Sequence, residues 1–509
     1  MAFVECIKYW ALATNQTHHA VEMILEILRE KIAQKFPKDP RTLLKTPRTA
    51  TNITNIEGGQ QWYNGLQKCI INNFREKIAQ KFPKDPRTLL KTSRTATNIT
   101  NIEGGQQWYN GLQKCIINNF SFRDDEIDVE TISINISIDG LPLHKSSSTQ
   151  FWPILAKIHE LPDFPVMTVA IFCGPKNPGN LDEILGPLIT ELNSLMANGV
   201  FVKSRKIGLK IRAIIADSSA RAFIKGVAYF NAKNGCLKCK CVGVFNHDSN
   251  TVVFRGINAL LRTDKEFREA YQTGHHKILT PLLLLDNFDM IQNVIIADVL
   301  HLIYLGIMRR LLFGWRDGTL GKYTKWASGT IEQISKWLKN VKLPYEIHHK
   351  TRDLYCLRHW KGTEYSSFFY YLSFVILKHY LPEDAYEHFM LLFCSITLLS
   401  SNIYKSNWKL AAEMLEQYVL DFEKIYGVKY MTSNVHNLQH IYKDVDKFGK
   451  LPTLSAFKFE NDLHSMKNML RSGYKNLQQI ANRKIELMNF KPINMTRVQF
   501  PFLKIQKKW

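Results

Sequence analysis

Residues 130–139 read ETISINISID and residues 206–217 read KIGLKIRAIIAD, and these two stretches decide the fold class. In the first, Ile132, Ile134, Ile136 and Ile138 alternate with Ser133, Asn135 and Ser137, the two-residue period of a strand with one apolar and one polar face. The alternation predicts a half-buried strand ending in Asp139. The second stretch is β-rich and again ends in an aspartate, Asp217. Alone, an aspartate at a strand end is mostly a turn former or a helix cap. Two of them on neighbouring strands of a basic chain form a pattern that can hold divalent cations.

Working outward, further strands are expected at residues 151–157 and 166–173, then a break at GPKNPGN and a helix over 181–197. Strand, strand, strand, helix, strand is the order of an RNase H-like core, in which both strand-terminal acids lie side by side at one edge of the sheet. Apolar residues at helical spacing in residues 8–28 predict a helical N-terminal region, and residues 242–448 read as almost wholly helical. The expected class is α/β: an RNase H-like mixed sheet core interrupted by a large all-helical insertion, with a helical N-terminal region. The corresponding divisions are 1–128, 129–241 (first two acids and a CxxC), 242–448 (insertion), 449–486 (a helix with a third acid) and 487–509 (a basic tail).

The chain has 509 residues, 67 Lys and Arg against 45 Asp and Glu, a formal charge of +22, and 45% hydrophobic and 12% aromatic residues. Global disorder is excluded by that apolar content, and the charge points to a polyanionic partner, nucleic acid before an acidic membrane face. Nine irregularly spaced cysteines do not resemble a secreted disulfide framework, so a reducing compartment is expected. Glu5 and Lys8 interrupt the apolar stretch that a signal peptide needs. The apolar window at 282–312 is broken by Asp286, Asp289, Asp298 and Arg309, so buried helices and no membrane span are expected.

Residues 29–74 recur almost unchanged as residues 75–120, Pro47 against Ser93 being the one difference. Solenoids have several divergent repeats. Two near-identical copies point to a recent duplication or a gene-assembly artefact, with one copy packing natively and Cys69 and Cys115 carrying no chemistry.

Other constellations bear on function. Cys236-Leu-Lys-Cys239, with Cys241 nearby, is half of a tetrahedral zinc site, and His436 and His440, at i and i+4, could supply the other half; a reduced CxxC and two structural histidines remain the alternative. Asp298 and His301 stand at i, i+3 inside an apolar run, where the carboxylate can orient the imidazole or lock helix packing. Glu460 opens an amphipathic helix with Lys467 and Arg471 on its polar face, a position that otherwise only complements the helix dipole.

IDGLPLHKSSSTQFWPIL, GPKNPGN, LDEILGPLITELNSLMANGV, IRAIIADSSARAFIKG and NAKNGCLKCKC, followed in order by DVLHLIYLGIMRRLL, WKGTEYSSFFYY and NVHNLQHIYKDVDKFGKLPTLSAFKFEN, resemble the transposase core of the CACTA and Chapaev group of cut-and-paste DNA transposons. Upstream WALATN and FPKDPRTLLKT extend the resemblance over nearly the whole chain. It implies a DDE triad of Asp139, Asp217 and Glu460 holding two Mg²⁺ or Mn²⁺ ions for strand cleavage and strand transfer. It also implies a zinc site of Cys236, Cys239, His436 and His440, similar to that of the related antigen-receptor recombinase, and a DxxH signature at Asp298 and His301. The implied partner is double-stranded DNA, transposon ends and target, gripped by Lys467, Arg471, Lys504, Lys507 and Lys508. A homodimer or larger assembly in the nucleus is implied as well. The resemblance further implies more chain on both sides, so the start and the QKKW end read as truncation. Two other readings stay open: a catalytically silent transposon-derived DNA-binding protein, and a zinc-organised interaction module.

Overall fold

The computed structural model describes residues 53–56, 59–62, 98–121, 129–144, 147–269, 274–344, 347, 351–470 and 472–488. The expected helix at 8–28, Cys69, Arg471 and the basic tail with Lys504, Lys507 and Lys508 lie outside the described residues. The chain divides into two compact units, Met1–Thr92 and Ser93–Trp509.

Described residues of the first unit form one hairpin, β1 (Ile53–Ile56) and β2 (Gly59–Trp62), with Ile53 opposite Trp62 and Ile56 opposite Gly59. In the second unit the duplicate sequence forms the same hairpin, β3 (Ile99–Ile102) and β4 (Gly105–Tyr109), in the same register, Ile99 opposite Trp108. The hairpin is therefore encoded locally: two short runs joined by Glu103-Gly104, with Gly104 at φ +83°, a conformation that a Cβ would oppose. These strands correct the expectation of a helical region over 1–128 for its described part, where the only helix is α1 (Leu112–Ser121).

The second unit is α/β, built on a mixed sheet in the order β3–β4–β8–β7–β5–β10–β9, with β6 (Leu141–Pro142) added on β7. Its strands β5 (Thr131–Ile138), β7 (Gln150–Ile158), β8 (Met167–Gly174) and β10 (Arg205–Ile214) match the strands expected from sequence, and the short β9 (Val200–Val202) was not expected. Strands β5, β7 and β8 form an antiparallel meander, while β10 runs parallel to β5. A last parallel bridge joins Ile214 to Val294. Helix α2 (Leu181–Asn198) crosses between β8 and the β9–β10 pair, begun by Asn180, whose side chain accepts from the N–H groups of Asp182 and Glu183. On α2, Glu191 accepts from the N–H groups of Leu112 and Gln113 at 2.8 and 2.9 Å, capping α1 from a neighbouring helix.

Strand β5 departs from the half-buried expectation: Ser133, Asn135 and Ser137 are as buried as the isoleucines between them. The isoleucines pack with α1 and α2. On the opposite face, the Arg212 guanidinium donates to Asn135 at 3.1 Å and to Thr453 Oγ1 at 3.1 Å, and bonds the Phe448 carbonyl. Small polar residues on β5 thus leave room for an arginine that ties the sheet to the C-terminal segment.

After β10 come α3 (Ser218–Ile224), the hairpin β11 (Val244–Asn246) and β12 (Thr251–Val253), and the short α4 (Asp264–Glu269). The described residues between 242 and 298 are thus largely irregular, and among the described residues the almost wholly helical expectation holds only from Val299 onward. There the chain winds as a π-helix over Val299–Met308 and continues as α5 (Arg309–Asp317). Gly306 suits this wide winding, since a Cβ would sit 2.7 Å from the His301 carbonyl. Long helices α6 (Glu383–Leu399) and α7 (Trp408–Tyr426) pack against each other and build an extended apolar core with Trp315, Phe389, Tyr418 and Phe422. The chain returns through α8 (Ser433–Asn437), α9 (Ile441–Phe448), α10 (Phe457–Met469) and α11 (Asn476–Met488). Among the described residues no helix is long and apolar enough to cross a membrane, and every described cysteine is free.

Buried His388 stacks on Tyr418 at 4.0 Å and donates through Nε2 to the Tyr418 carbonyl at 2.9 Å, while Nδ1 has no partner among the described residues. Protonation would bury a second, unpaired N–H, and burial holds the ring down at about 4. Below pH 6.5 the unfolded chain takes up a proton that the folded chain refuses until about pH 4, so stability is lost as pH falls through that window, by up to about 3 kcal/mol from this group. Urea unfolding of the wild type and of His388→Leu at pH 7 and pH 4.5 checks this: the loss on acidification is expected to be smaller in the variant.

Candidate metal centres

Cys236 and Cys239 lie in the turn after α3, and His436 and His440 enter from α8 and the tightened 3₁₀ turn that follows it. Residues about 200 apart in sequence converge here, all four side chains being buried with their ligand atoms within 4.8 Å of one another. Cys236 Sγ lies 3.4 Å from Cys239 Sγ, Cys239 Sγ is 3.3 Å from His436 Nε2, and Cys236 Sγ is 3.6 Å from His440 Nε2. A tetrahedron with metal bonds of about 2.0–2.3 Å has edges of roughly 3.3–3.8 Å, so the donor set and its spacing fit a four-coordinate ion. The hydrogen bond from Cys239 pulls the Cys236 thiol well below its ordinary range, with His436 and His440 adding to this against burial, while Cys239 is raised by the same bond. Phe254 closes the apolar wall, its ring 5.4 Å from that of His436. Cys241 stands outside the group and points its Sγ to the Arg255 carbonyl.

A second group forms where the parallel strands end. Asp139 follows β5, Asp217 follows β10, and Asp298 follows the Val294 bridge, so three carboxylates stand at the carboxyl ends of three adjacent parallel segments. Asp217 serves as the N-cap of α3, its Oδ1 accepting from the Ala220 N–H at 2.6 Å. Gly140 lets the chain turn beneath Trp152, where a Cβ would meet the indole at 3.2 Å.

Asp298 is fully buried and caps the π-helix. The sequence reading set it inside a helix; it instead ends the strand-like segment and begins the helical one. Its Oδ1 accepts from Leu300 N at 3.1 Å and from Ala456 N at 2.9 Å, and its Oδ2 pairs with His301 Nδ1 at 2.5 Å. The bond to Ala456 fixes the start of α10, which carries Glu460 in its first turn. His301 Nε2 then lies 3.4 Å from Glu460 Oε1.

Ligand atoms of Asp139, His301 and Glu460 fall within 4.8 Å of one another, a group that could hold a cation. The Asp217 carboxylate lies outside this group but inside its field: burial, then the charges of Asp217 and Glu460, push the Asp139 carboxyl up to about 8. Burial works against a charged His301 ring, yet hydrogen bonds to Asp298 and Glu460 outweigh it and hold the ring up at about 10. A crowded set of carboxylates balanced by one imidazolium is what a hard divalent cation with oxygen ligands would relieve.

Lys467, expected to contact DNA, donates from Nζ to the Pro142 carbonyl at 2.8 Å and so braces the loop after Asp139 against α10. Sequence reasoning missed Lys238, between the two cysteines, and Asp444, one helical turn after His440. Their side chains meet at 2.7 Å and both are buried. The only signal for them was their spacing from the metal-type residues, which has meaning once the four ligands are together.

A comparison with protein-family models finds no match for this chain, and neither does a comparison with curated proteins.

The purified protein is expected to carry one tightly held metal ion per chain at the Cys2His2 group, measured by plasma mass spectrometry. Cys236→Ser and His440→Gln are expected to lose it, and chelation to destabilise the fold by several kcal/mol, as for structural metal sites generally.

Proposed function

We propose that this chain is a DDE-type transposase that cuts and joins DNA strands. The observation that carries the reading is the meeting of Asp139 and Glu460, residues far apart in sequence, with ligand atoms within 4.8 Å of each other where β5 ends, inside the field of the Asp217 carboxylate that follows β10. Support also comes from topology: a β8–β7–β5 meander, a crossover through α2, then β10 parallel to β5 and a bridge to Val294, the arrangement of an RNase H-like sheet. The Cys2His2 group, which zinc suits best among common ions by its ligand set, fastens the end of the helical insertion to the turn after α3.

In this reading Asp139, Asp217 and Glu460 hold two Mg²⁺ or Mn²⁺ ions, which when bound supply activation of the attacking oxygen and stabilisation of the charged phosphoryl centre. The remaining work falls to the protein. Asp217 is immobilised by its capping bond, so its free oxygen keeps a fixed direction. His301, oriented through Nδ1 by Asp298, holds its Nε2 proton toward Glu460 and so sets the position of that carboxylate. Basic residues neutralise the DNA backbone, in keeping with the charge of +22, and the first strand cut requires water while the second step uses the freed 3′-hydroxyl.

Labelled duplex DNA carrying candidate terminal repeats, incubated with Mn²⁺, tests this. Nicking by the wild type is expected to fall to background in Asp217→Asn, with DNA binding retained. Binding is expected to weaken roughly 10³-fold between 50 and 200 mM salt, as for about six phosphate contacts. Salt-sensitive binding without nicking by either protein would replace this reading with that of a silent DNA-binding protein.

A further inference from the structure

A chain of buried contacts joins the two candidate metal centres. Lys238, held between Cys236 and Cys239, donates from Nζ to Asp444 Oδ1 at 2.7 Å and to the Ile291 carbonyl at 2.8 Å. Asp444 sits on α9, four residues after His440, and its Oδ2 accepts from the N–H groups of Ile296 and Ala297 at 2.7 and 3.1 Å. These two amides immediately precede Asp298, which holds His301 and the N–H of Ala456 at the start of α10. From the other side, the buried Arg221 donates to the Ile295 carbonyl at 2.9 Å. The residues just before Asp298 are thus gripped on both edges, by Asp444 and by Arg221.

We infer that Asp444 is a positioning residue: it fixes residues 296–297, and through Asp298 and His301 the direction of Glu460, so that the cation site at Asp139 and Glu460 is assembled by the Cys2His2 centre. This rests on the metal-dependent reading above. Asp444 touches neither centre. Both its oxygens are used within the chain, one by Lys238 and one by the two amides, and the side chain is almost inaccessible to solvent. A carboxylate with this pattern of partners sets geometry, as outer-shell groups do around metal ligands, where their loss costs about 10- to 100-fold in metal affinity.

The test uses the full-length protein with Mn²⁺ as the probe. Lys238→Met with Asp444→Leu removes both charges together, so no buried charge is left unpaired, while the Ile296 and Ala297 amides lose their acceptor. It is expected to keep its Cys2His2 metal by mass spectrometry, to remain folded by circular dichroism, and to bind Mn²⁺ at least about tenfold more weakly by titration calorimetry. Lys238→Met with Asp444→Asn leaves no buried charge unpaired and keeps an acceptor oxygen for the two amides, and is expected to hold Mn²⁺ within about threefold of the wild type. Should the Asp444→Leu double variant fail to fold, Lys238→Met with Asp444→Val, differing only in volume, takes its place. Equal Mn²⁺ affinity in the wild type and a folded, metal-loaded Asp444→Leu or Asp444→Val double variant would overturn the inference and leave the reading of function intact. A loss in Lys238→Met with Asp444→Asn as large as that with Asp444→Leu would also overturn it, because removal of the charges, and not of the acceptor for the two amides, would then be at work. A wild type that binds no Mn²⁺ would overturn both.

Discussion

Parallel pairing of β5 with β10 is the constraint on which the rest depends. Gly208 faces Thr131 and Ile214 faces Ile136, so the two strands leave the sheet in the same direction and at nearly the same height. Parallel neighbours need a crossover connection, and α2 with the β9 turn supplies it. Once that register is set, Asp139 and Asp217 have no freedom to be apart. The bridge from Ile214 to Val294 repeats the step and delivers Asp298 beside them. The helical body then has one task at this edge, to bring Glu460 back, and Arg212 and Asp298 both hold the segment that leads into α10.

Much of this was legible in the residues, for a physical reason. ETISINISID alternates cleanly, and KIGLKIRAIIAD is β-branched and bounded by a turn, so existence and ends of both strands could be read directly. What alternation misreports is burial. Ser133, Asn135 and Ser137 are polar yet lie inside, because Arg212 needs small hydrogen-bonding neighbours there. A different failure occurs at VIIADVLHLIYLGIM, an apolar run in which strand and helix cannot be separated by period; the boundary at Asp298 shows only in the side-chain bonds it makes to Leu300 and Ala456. The metal-type residues were readable as two half-sites that could join, whereas the pair Lys238–Asp444, 206 residues apart, left only its spacing from those residues as a trace in the sequence.

Three buried cations follow Asp217 in the segment that leads to Cys239. Arg221, Lys225 and Lys238 are all buried, and they are treated differently by their surroundings. Lys238 has a carboxylate partner, while Arg221 has the Ile295 carbonyl and the fields of Asp298, Asp217 and Asp444. Lys225 Nζ has no hydrogen-bond partner among the described residues; it lies over the Phe267 ring at 4.9 Å, and burial, with Lys238 and Arg262 nearby, outweighs Asp289 and holds it well below the ordinary lysine range. Desolvation of cations is costly, and each of these three is offset to a different degree by the groups that face it.

The duplicated hairpin has a consequence for any method that reports on peptides. Strand β4 is hydrogen-bonded on both edges, to β3 and β8, whereas β2, with the same GQQW run, pairs among the described residues with β1 alone. Proteolysis releases indistinguishable fragments from the two copies, so deuterium uptake across ITNIEGGQQW superimposes two protection levels from one homogeneous protein. A bimodal isotope envelope there would record the gene's repetition, and reading it as slow interconversion between two folded states would mistake sequence identity for dynamics.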